Sequence, residues 1–362
     1  MYDFCWLSYD KPRDGLAIAG RAEETSNLIA LALTDLSRVL YGTNIRITEL
    51  VKNLDIPVVF SRTQTRILKY LKYGPSILKN KDVLLFGSRG RIFDDLFLNG
   101  VRLCKSRIIY DAADLPHLQN YYFEGGVIDA SLARRFYSLV NCSSILLVVS
   151  QSALRLFEPK TLKSKQTVIV PNGCDPEIFK TAPLESKIRT VLYVGGYAPN
   201  RGVDDLVDAF RSLGKKHPDI RLRLVGASIP LRFNSDRITV EHDKTYKDMP
   251  TVYSQSHLCV IPHRRNPYMD AALPVKLYEA MASGRPLVVT NCTEMKNLVE
   301  AERCGAIADN DSASLAEAIE YLVLHPKIAH EMGMRGREAT LKRHSWQIRA
   351  EKLRSSLTKS CD

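Results

Sequence analysis

A lysine and a glutamate stand three positions apart in residues 273–290, LPVKLYEAMASGRPLVVT, a spacing that places both on one face of a helix. Lys276 would supply a cation and Glu279 a carboxylate. Together they could bind the anionic end of a phosphorylated ligand and a sugar hydroxyl. The alternative is an exposed ion pair that adds roughly 0.3 kcal/mol to stability. Spacing alone leaves both interpretations open.

The surrounding residues define the helix that positions this pair. Pro274 suits the first turn, where its missing N–H costs nothing, and Gly284 followed by Pro286 marks the end. We therefore predict a helix of about ten residues, with a buried strand at 286–290. Pro274 and Val275 stand at the end whose free backbone N–H groups favour a phosphate.

The segment PVKLYEAMASGRPLVV resembles the donor-nucleotide motif of GT-B glycosyltransferases, in particular the retaining family 4 (group 1). Three further blocks follow the family's order: VPNGCDPEIF at 170–179, LYVGGYAPNRGVDDLVDAF at 192–210 and RHSWQIRAEKL at 343–353. They cover the C-terminal half, and the N-terminal half resembles the family only in outline. The resemblance implies an α/β fold of two Rossmann-like domains with the active site in the interdomain cleft. It also implies transfer of a sugar from a nucleotide sugar to an acceptor hydroxyl, with retention of configuration.

The length of 362 residues and the strand pattern also favour two α/β domains. We predict a boundary in the basic stretch 160–165, giving an acceptor domain over 1–165 and a donor domain over 166–342. By resemblance, the helix 343–362 crosses back onto the first domain. We predict a helix at 24–40, first-domain strands at 45–48, 58–60, 83–86, 108–110 and 145–150, and a strand at 167–170 after the boundary, followed by a Pro171-Asn172-Gly173 turn that by resemblance opens the second domain. Further second-domain strands are predicted at 190–194, 221–225, 238–241 and 258–261.

A glycine loop follows the strand predicted at 190–194. Gly195 and Gly196 allow close backbone approach to a phosphate, but their spacing to Gly202 does not match a dinucleotide fingerprint. The resemblance implies that Arg201 contacts the donor pyrophosphate. A second basic residue that is usual in the family is replaced here by Tyr197. Lys276 is positioned to supply the missing positive charge.

The loop before the helix departs from the family. The carboxylate expected eight positions before Glu279 is replaced by Ala271, with Asp270 one residue away. Either Asp270 substitutes for it or that contact with the transferred sugar is absent. The basic run 263–265, HRR, adds cationic groups at the same edge of the predicted second-domain sheet.

Candidate catalytic residues follow the strand at 108–110. Asp111, Asp114 and His117 stand where parallel sheets gather ligands, and a carboxylate there could act as a general base on an acceptor hydroxyl. Helix capping is the competing interpretation for both aspartates. The resemblance places all three near the reaction centre. Ser150 is predicted to cap the helix that begins near Gln151.

Two basic features of the first domain have competing interpretations. Gly15, Gly20 and Arg21 form a loop that either closes over a ligand or is an ordinary turn between strand and helix. Residues 62–81 are basic and amphipathic with no acidic residue, so they either contact an anionic membrane or form a solvated helix. The basic residues at its start are Arg62, Arg66, Lys69 and Lys72. The net charge of +11 suits an anionic partner, and no nucleic-acid motif accompanies it.

The remaining signals argue against a metal and a membrane span. In the Asp309-Asn310-Asp311 run, helix capping is favoured over a metal pair, so we expect no metal or other cofactor, with a UDP- or GDP-sugar as substrate. The eight cysteines are scattered, which favours reduced thiols in a cytosolic protein. The apolar runs fall short of the roughly 20 residues of a membrane span. No signal peptide is expected before the aromatic run 2–9, and membrane contact would be peripheral.

Two other functions fit the same residues. A nucleotide-sugar 2-epimerase shares the fold but needs no acceptor. A non-catalytic protein that binds anionic membranes or nucleic acid would use residues 62–81 and would not bind nucleoside diphosphates.

Overall fold

The chain forms two units, each built on a parallel sheet. The computed structural model describes residues 28–32, 45–54, 58–60, 82–86, 107–124, 126–181 and 187–358. Residue contacts divide the chain into Met1–Val170 with Ala350–Asp362, and Pro171–Arg349. Both sheets are parallel with helices between their strands, which confirms the predicted α/β class.

The first unit alternates strands and helices around its sheet. Its elements in chain order are β1 (Leu28–Ala32), α1 (Ile45–Leu54), β2 (Val58–Phe60), β3 (Asp82–Phe86), β4 (Ile108–Asp111), α2 (Pro116–Glu124), α3 (Ala130–Cys142), β5 (Ile145–Val148), α4 (Gln151–Leu154), α5 (Pro159–Leu162) and β6 (Gln166–Ile169). The strand order is β2-β1-β3-β4-β5-β6. Every residue of β4 and β5 is buried, as expected for strands covered on both faces.

Two predictions in this unit are wrong. Residues 28–32 lie within the predicted helix at 24–40, yet they form β1, which pairs with both β2 and β3. The run LIALA is continuously apolar, and such a run does not distinguish a central strand from a helix. Residues 45–48 were predicted as a strand but begin α1. Ile47, Leu50, Val51 and Leu54 follow helical spacing, which the shorter window missed.

The strand predicted at 167–170 lies in the first sheet. It forms β6 and pairs in parallel with β5. The predicted boundary assigns these residues to the second domain, whereas the contact division falls after Val170.

The second unit contains the elements that carry the candidate donor site. These are β7 (Thr190–Val194), α6 (Val203–Lys216), β8 (Arg221–Val225), β9 (Ile238–Glu241), α7 (Met249–Ser254), β10 (Leu258–Ile261), α8 (Pro267–Ala271), α9 (Val275–Ala282), β11 (Leu287–Thr290), α10 (Thr293–Glu302), β12 (Gly305–Ala308), α11 (Ser312–Leu324) and α12 (Pro326–Ala339). A last helix, α13 (Trp346–Thr358), begins in this unit, and its residues from Ala350 onward belong to the first unit. β7, β8, β9 and β10 form at the predicted residues.

Strand order creates a ligand-binding position between β7 and β10. The order is β12-β11-β10-β7-β8-β9, so the chain leaves β7 toward one edge and returns to its other side with β10. Ligands of parallel sheets bind outside the carboxyl ends of the strands at such a switch point. The apolar faces of α6 and α11 pack in the core of the unit, with Leu206, Phe210 and Ile319 fully buried. The loops after β7 and β10 therefore extend from a closely packed core.

Among the described residues, no helix is long and apolar enough to cross a membrane.

Candidate functional site

The loop after β7 brings its backbone to the switch point. Gly195 has φ 144°, a conformation that favours glycine, and an added Cβ would lie 2.5 Å from Lys276 Nζ. The Tyr193 hydroxyl donates a 2.7 Å hydrogen bond to the Gly196 carbonyl oxygen. Ser228 Oγ accepts a 2.8 Å bond from the Tyr197 N–H. Two side chains therefore fix this loop, and its glycines let a ligand approach the backbone closely.

Lys276 lies at the carboxyl end of β7. Its Nζ donates a 2.8 Å hydrogen bond to the carbonyl oxygen of Val194, the last residue of that strand, and lies 4.8 Å from the centre of the Tyr193 ring. Burial lowers the pKa of Lys276 well below the usual value for lysine, and the charge of Arg201 lowers it further. An anionic ligand would therefore stabilise the charged form of Lys276.

Glu279 is buried one turn further along α9, with 3% of its surface exposed. Its Oε2 accepts a 2.9 Å hydrogen bond from the Tyr253 hydroxyl. Burial raises the pKa of Glu279 to about 7, against the opposing effects of that hydrogen bond and of Lys276. The exposed ion-pair interpretation therefore does not describe Glu279. A ligand hydroxyl would reach this carboxylate through Oε1.

The start of α9 is held from outside the helix. Pro274 is the residue that precedes the first helical position, Val275, and its carbonyl oxygen accepts a 3.0 Å hydrogen bond from the Leu277 N–H. Asn172 lies in the Pro171-Asn172-Gly173 turn of the second unit. Its Nδ2 donates a 2.8 Å bond to the Leu273 carbonyl oxygen, so this turn has a structural role. The helix start, with its partial positive charge, is therefore fixed in place.

Arg201 ends a short 3₁₀ turn, Pro199–Arg201, which packs against the loop after β10. Gly202 follows with φ 64°, and an added Cβ would overlap the Pro262 carbonyl oxygen. The Arg264 N–H donates a 3.0 Å bond to the Asn200 carbonyl oxygen. The charge of Arg201 lowers the pKa of both Lys276 and His263, so the three groups share one electrostatic environment.

The HRR run does not supply three cations. The His263 ring is buried, and burial lowers its pKa well below the usual histidine value. Arg264 forms a bidentate pair with Asp205 at 2.6 and 2.7 Å. Arg265 pairs with Asp270 at 3.1 Å. The sequence indicated three cations here, whereas the structure contains a buried imidazole with a lowered pKa and two paired arginines.

Asp270, the residue that could replace the missing carboxylate, is engaged within the protein. Its Oδ1 accepts a 2.8 Å hydrogen bond from the Thr293 N–H at the start of α10, as well as the bond from Arg265. The neighbouring Ala271 is buried. These contacts favour a structural role for Asp270 over contact with a sugar.

In the first unit, the three candidate catalytic residues differ sharply in environment. Asp111 forms a buried bidentate pair with Arg46, at 2.8 Å from Nε and 2.7 Å from Nη2. Asp114 is exposed. His117 is buried between the rings of Phe136 and Tyr137, at 5.1 and 5.4 Å, and burial lowers its pKa. No described group bonds to its Nδ1.

Two predicted caps are confirmed. Ser150 Oγ accepts a 3.0 Å bond from the Ala153 N–H, and Asp311 accepts a 2.8 Å bond from the Ser314 N–H at the start of α11. Asp309 accepts a 2.7 Å bond from Asn291. No cluster of three or more metal-ligating residues occurs in the part of the chain that the structure describes.

Some predicted residues lie outside the described residues. These are Gly15, Gly20 and Arg21 of the N-terminal loop and Arg62, Arg66, Lys69 and Lys72 of the basic segment.

Sequence comparison links the donor-site unit to a known family. Residues 188–325 match the family model described as glycosyl transferases group 1. The chain is 25% identical over 229 residues to an uncharacterized glycosyltransferase of Haemophilus influenzae, covering 60% of this chain and 62% of that protein. It is 23% identical over 240 residues to the capsular polysaccharide biosynthesis glycosyltransferase CapM of Staphylococcus aureus, covering 59% and 61%. The chain thus spans about three-fifths of the length of these relatives.

Solved structures share the fold. Sucrose-phosphate synthase from Thermosynechococcus elongatus superposes with a TM-score of 0.68 at 18% identity, covering 92% of this chain and 98% of that one. Anabaena Alr3699/HepE in complex with UDP and glucose gives 0.66 at 16% identity, covering 92% and 99%. These likenesses confirm the GT-B fold.

Proposed function

We propose that this chain, which has the GT-B fold and a group 1 glycosyltransferase domain, is a glycosyltransferase that moves a sugar from a nucleotide sugar to an acceptor hydroxyl. The observation that carries the proposal is the convergence of Lys276, Glu279 and the Gly195-Gly196 loop at the switch point of the second sheet. Such a site suits a ligand with an anionic end and sugar hydroxyls.

Departure of the leaving group places negative charge on the diphosphate. Lys276, Arg201 and the N–H groups at the start of α9 would stabilise that charge, so the reaction needs no metal ion. Glu279 would bind a ribose hydroxyl through Oε1 and orient the donor rather than act as a base. By resemblance to family 4 we propose retention through a front-face route. An inverting enzyme would instead need a base, for which Asp114 is the exposed residue among the three candidates Asp111, Asp114 and His117.

A panel of nucleotide sugars tested for protection against thermal unfolding would examine the donor site. A specific ligand stabilises the folded protein by mass action. UDP-sugars come first because the structurally similar HepE binds UDP and glucose, followed by GDP-sugars. We expect stabilisation by one base series and none by the matching nucleoside. No response to any UDP- or GDP-linked compound would contradict the proposal.

The reaction products distinguish sugar transfer to an acceptor from epimerisation of the donor. Incubation of the preferred donor with acceptors should release nucleoside diphosphate together with a glycosylated acceptor. Isomerisation of the donor without transfer would instead support a 2-epimerase.

We further propose a lipid-linked or glycan acceptor at the cytoplasmic membrane face. The basic residues of segment 62–81 support this, because each cation near an anionic lipid surface contributes about 1 kcal/mol to binding. Sedimentation with phosphatidylserine vesicles should carry down the wild type but not a variant with Arg62, Arg66, Lys69 and Lys72 changed to glutamine. Equal sedimentation of both proteins, or equal binding to neutral phosphatidylcholine vesicles, would contradict this part.

A further inference from the structure

His263 stands at the switch point with two buried ring nitrogens. It follows β10, and its ring is 1% exposed. Neither Nδ1 nor Nε2 has a hydrogen-bond partner among the described residues. Buried polar side chains are hydrogen bonded in the large majority of cases. An imidazole that lacks a partner in the described part of the chain is a candidate contact for a bound ligand.

The backbone of His263 is fixed by contacts on both sides. The His263 carbonyl oxygen accepts a 2.5 Å hydrogen bond from Thr290 Oγ1 and a 3.3 Å bond from Cys292 Sγ. Both donors lie at the end of β11, the neighbour of β10. On the preceding side, Pro262 packs against Gly202. These contacts hold the residue at the carboxyl edge of the sheet.

The charges around the ring explain why a neutral group is useful there. Lys276 and Arg201 already place two cations in this environment, and both lower the pKa of His263. A neutral imidazole presents one N–H donor and one acceptor nitrogen. It can therefore add a hydrogen-bond donor to an anion-binding site without a third positive charge.

We propose that His263 is a further donor-binding residue, whose neutral imidazole donates a hydrogen bond to a diphosphate oxygen held by Lys276 and Arg201. The inference rests on the proposed function, because it assigns a contact within the same nucleotide-sugar site. Its ligand class is the diphosphate of the donor, and the nucleoside should not depend on it.

The test measures the binding affinity for a nucleoside diphosphate and for the corresponding nucleoside. The proteins are His263→Phe, His263→Asn and a control variant, His217→Phe. His217 precedes β8 and therefore lies near the amino ends of the parallel strands, whereas His263 follows the carboxyl end of β10; His217 pairs with Glu320. Calorimetric titration would use UDP and uridine, or GDP and guanosine if the wild type prefers guanine. We expect His263→Phe to lose about tenfold or more in affinity for the diphosphate, as for a lost hydrogen bond to a charged group. The nucleoside should bind as before, and His263→Asn should recover part of the loss.

The outcomes separate the two proposals. Unchanged diphosphate affinity in His263→Phe, or equal losses for diphosphate and nucleoside, would overturn the inference and leave the proposed function intact. A wild type that binds neither UDP nor GDP would overturn both. If His263→Phe does not fold, His263→Asn and His263→Leu carry the same comparison. In addition, a shift of the His263 ring ¹⁵N resonances on adding the diphosphate, absent on adding the nucleoside, would support the contact.

Discussion

The Tyr253 hydroxyl donates a 2.9 Å hydrogen bond to Glu279 Oε2, and both side chains are buried. This bond joins α7 to α9 and fixes the carboxyl group that the proposed donor site would use. Burial raises the pKa of both partners, that of Glu279 to about 7. The protonation state of Glu279 therefore changes in the neutral pH range, unlike that of an exposed glutamate.

The first prediction concerns stability against pH. In the folded protein Glu279 holds its proton up to about pH 7, whereas in the unfolded chain it releases it near 4.5. The folded state thus binds more protons between these values, and stability falls as pH rises through them. A difference of this size corresponds to roughly 3 kcal/mol. Urea unfolding of wild type and Glu279→Gln should show the wild type losing about 2–3 kcal/mol more between pH 5 and pH 8.

The glutamine variant keeps the shape and the acceptor oxygen but does not titrate. All other groups titrate in both proteins, so their effects cancel in the comparison. Parallel pH profiles for the two proteins would contradict the raised pKa.

The second prediction concerns the charge of Lys276. Because burial and Arg201 lower its pKa, a bound diphosphate should raise that pKa again and draw a proton from the buffer. Titration calorimetry in buffers of different ionisation enthalpy should show proton uptake on UDP or GDP binding at alkaline pH. Lys276→Met should abolish the uptake and weaken binding about 10- to 100-fold.

A matched control is Lys296→Met, which removes a half-exposed lysine that pairs with Glu300 on α10. It should bind the diphosphate as the wild type does. Proton uptake that persists in Lys276→Met would assign it to another group.

The elements of the second unit could be predicted from sequence because their patterns are local. β7, β8, β9 and β10 are short apolar runs between turn residues, and the start of α9 follows directly from Pro274. The elements of the first unit were harder to predict. β1 is a continuous apolar run, and whether such a run forms a strand or a helix depends on pairing with strands distant in sequence. Local spacing carries no information about such pairing.

The candidate site could be predicted in position but not in electrostatics. The sequence placed Lys276 and Glu279 on one helix, and it could not show that Tyr253, from α7, binds the carboxylate. It also marked His263 as one of three basic residues, although burial lowers the pKa of its ring well below the usual histidine value. Burial and partner choice arise from packing between segments, so residue type alone does not determine them.

The third prediction tests whether Asp111 is structural. Asp111 forms a buried bidentate pair with Arg46, so Asp111→Asn removes one of two buried paired charges, which should cost about 3–5 kcal/mol in stability. The double variant Arg46→Leu/Asp111→Leu removes both charges and should recover much of the loss. Differential scanning calorimetry would compare the three proteins. A stable Asp111→Asn protein that binds donor but does not transfer sugar would instead support a catalytic role.

The fourth prediction concerns Gly202, which combines a positive φ with close packing. Alanine at φ 64° costs roughly 1–2 kcal/mol in backbone strain, and its Cβ would also overlap the Pro262 carbonyl oxygen. Gly126 has φ 76° with nothing within 4 Å, so Gly126→Ala measures strain alone. In a Trp6→Phe background, the fluorescence of the buried Trp346 reports unfolding of the second unit. We expect Gly202→Ala to lower the urea midpoint of this signal and to weaken diphosphate binding. Gly126→Ala should lower the stability of the first unit by about 1 kcal/mol, which circular dichroism would measure. It should leave diphosphate binding unchanged. Similar stability losses for the two variants would show that the loops after β7 and β10 can separate without cost.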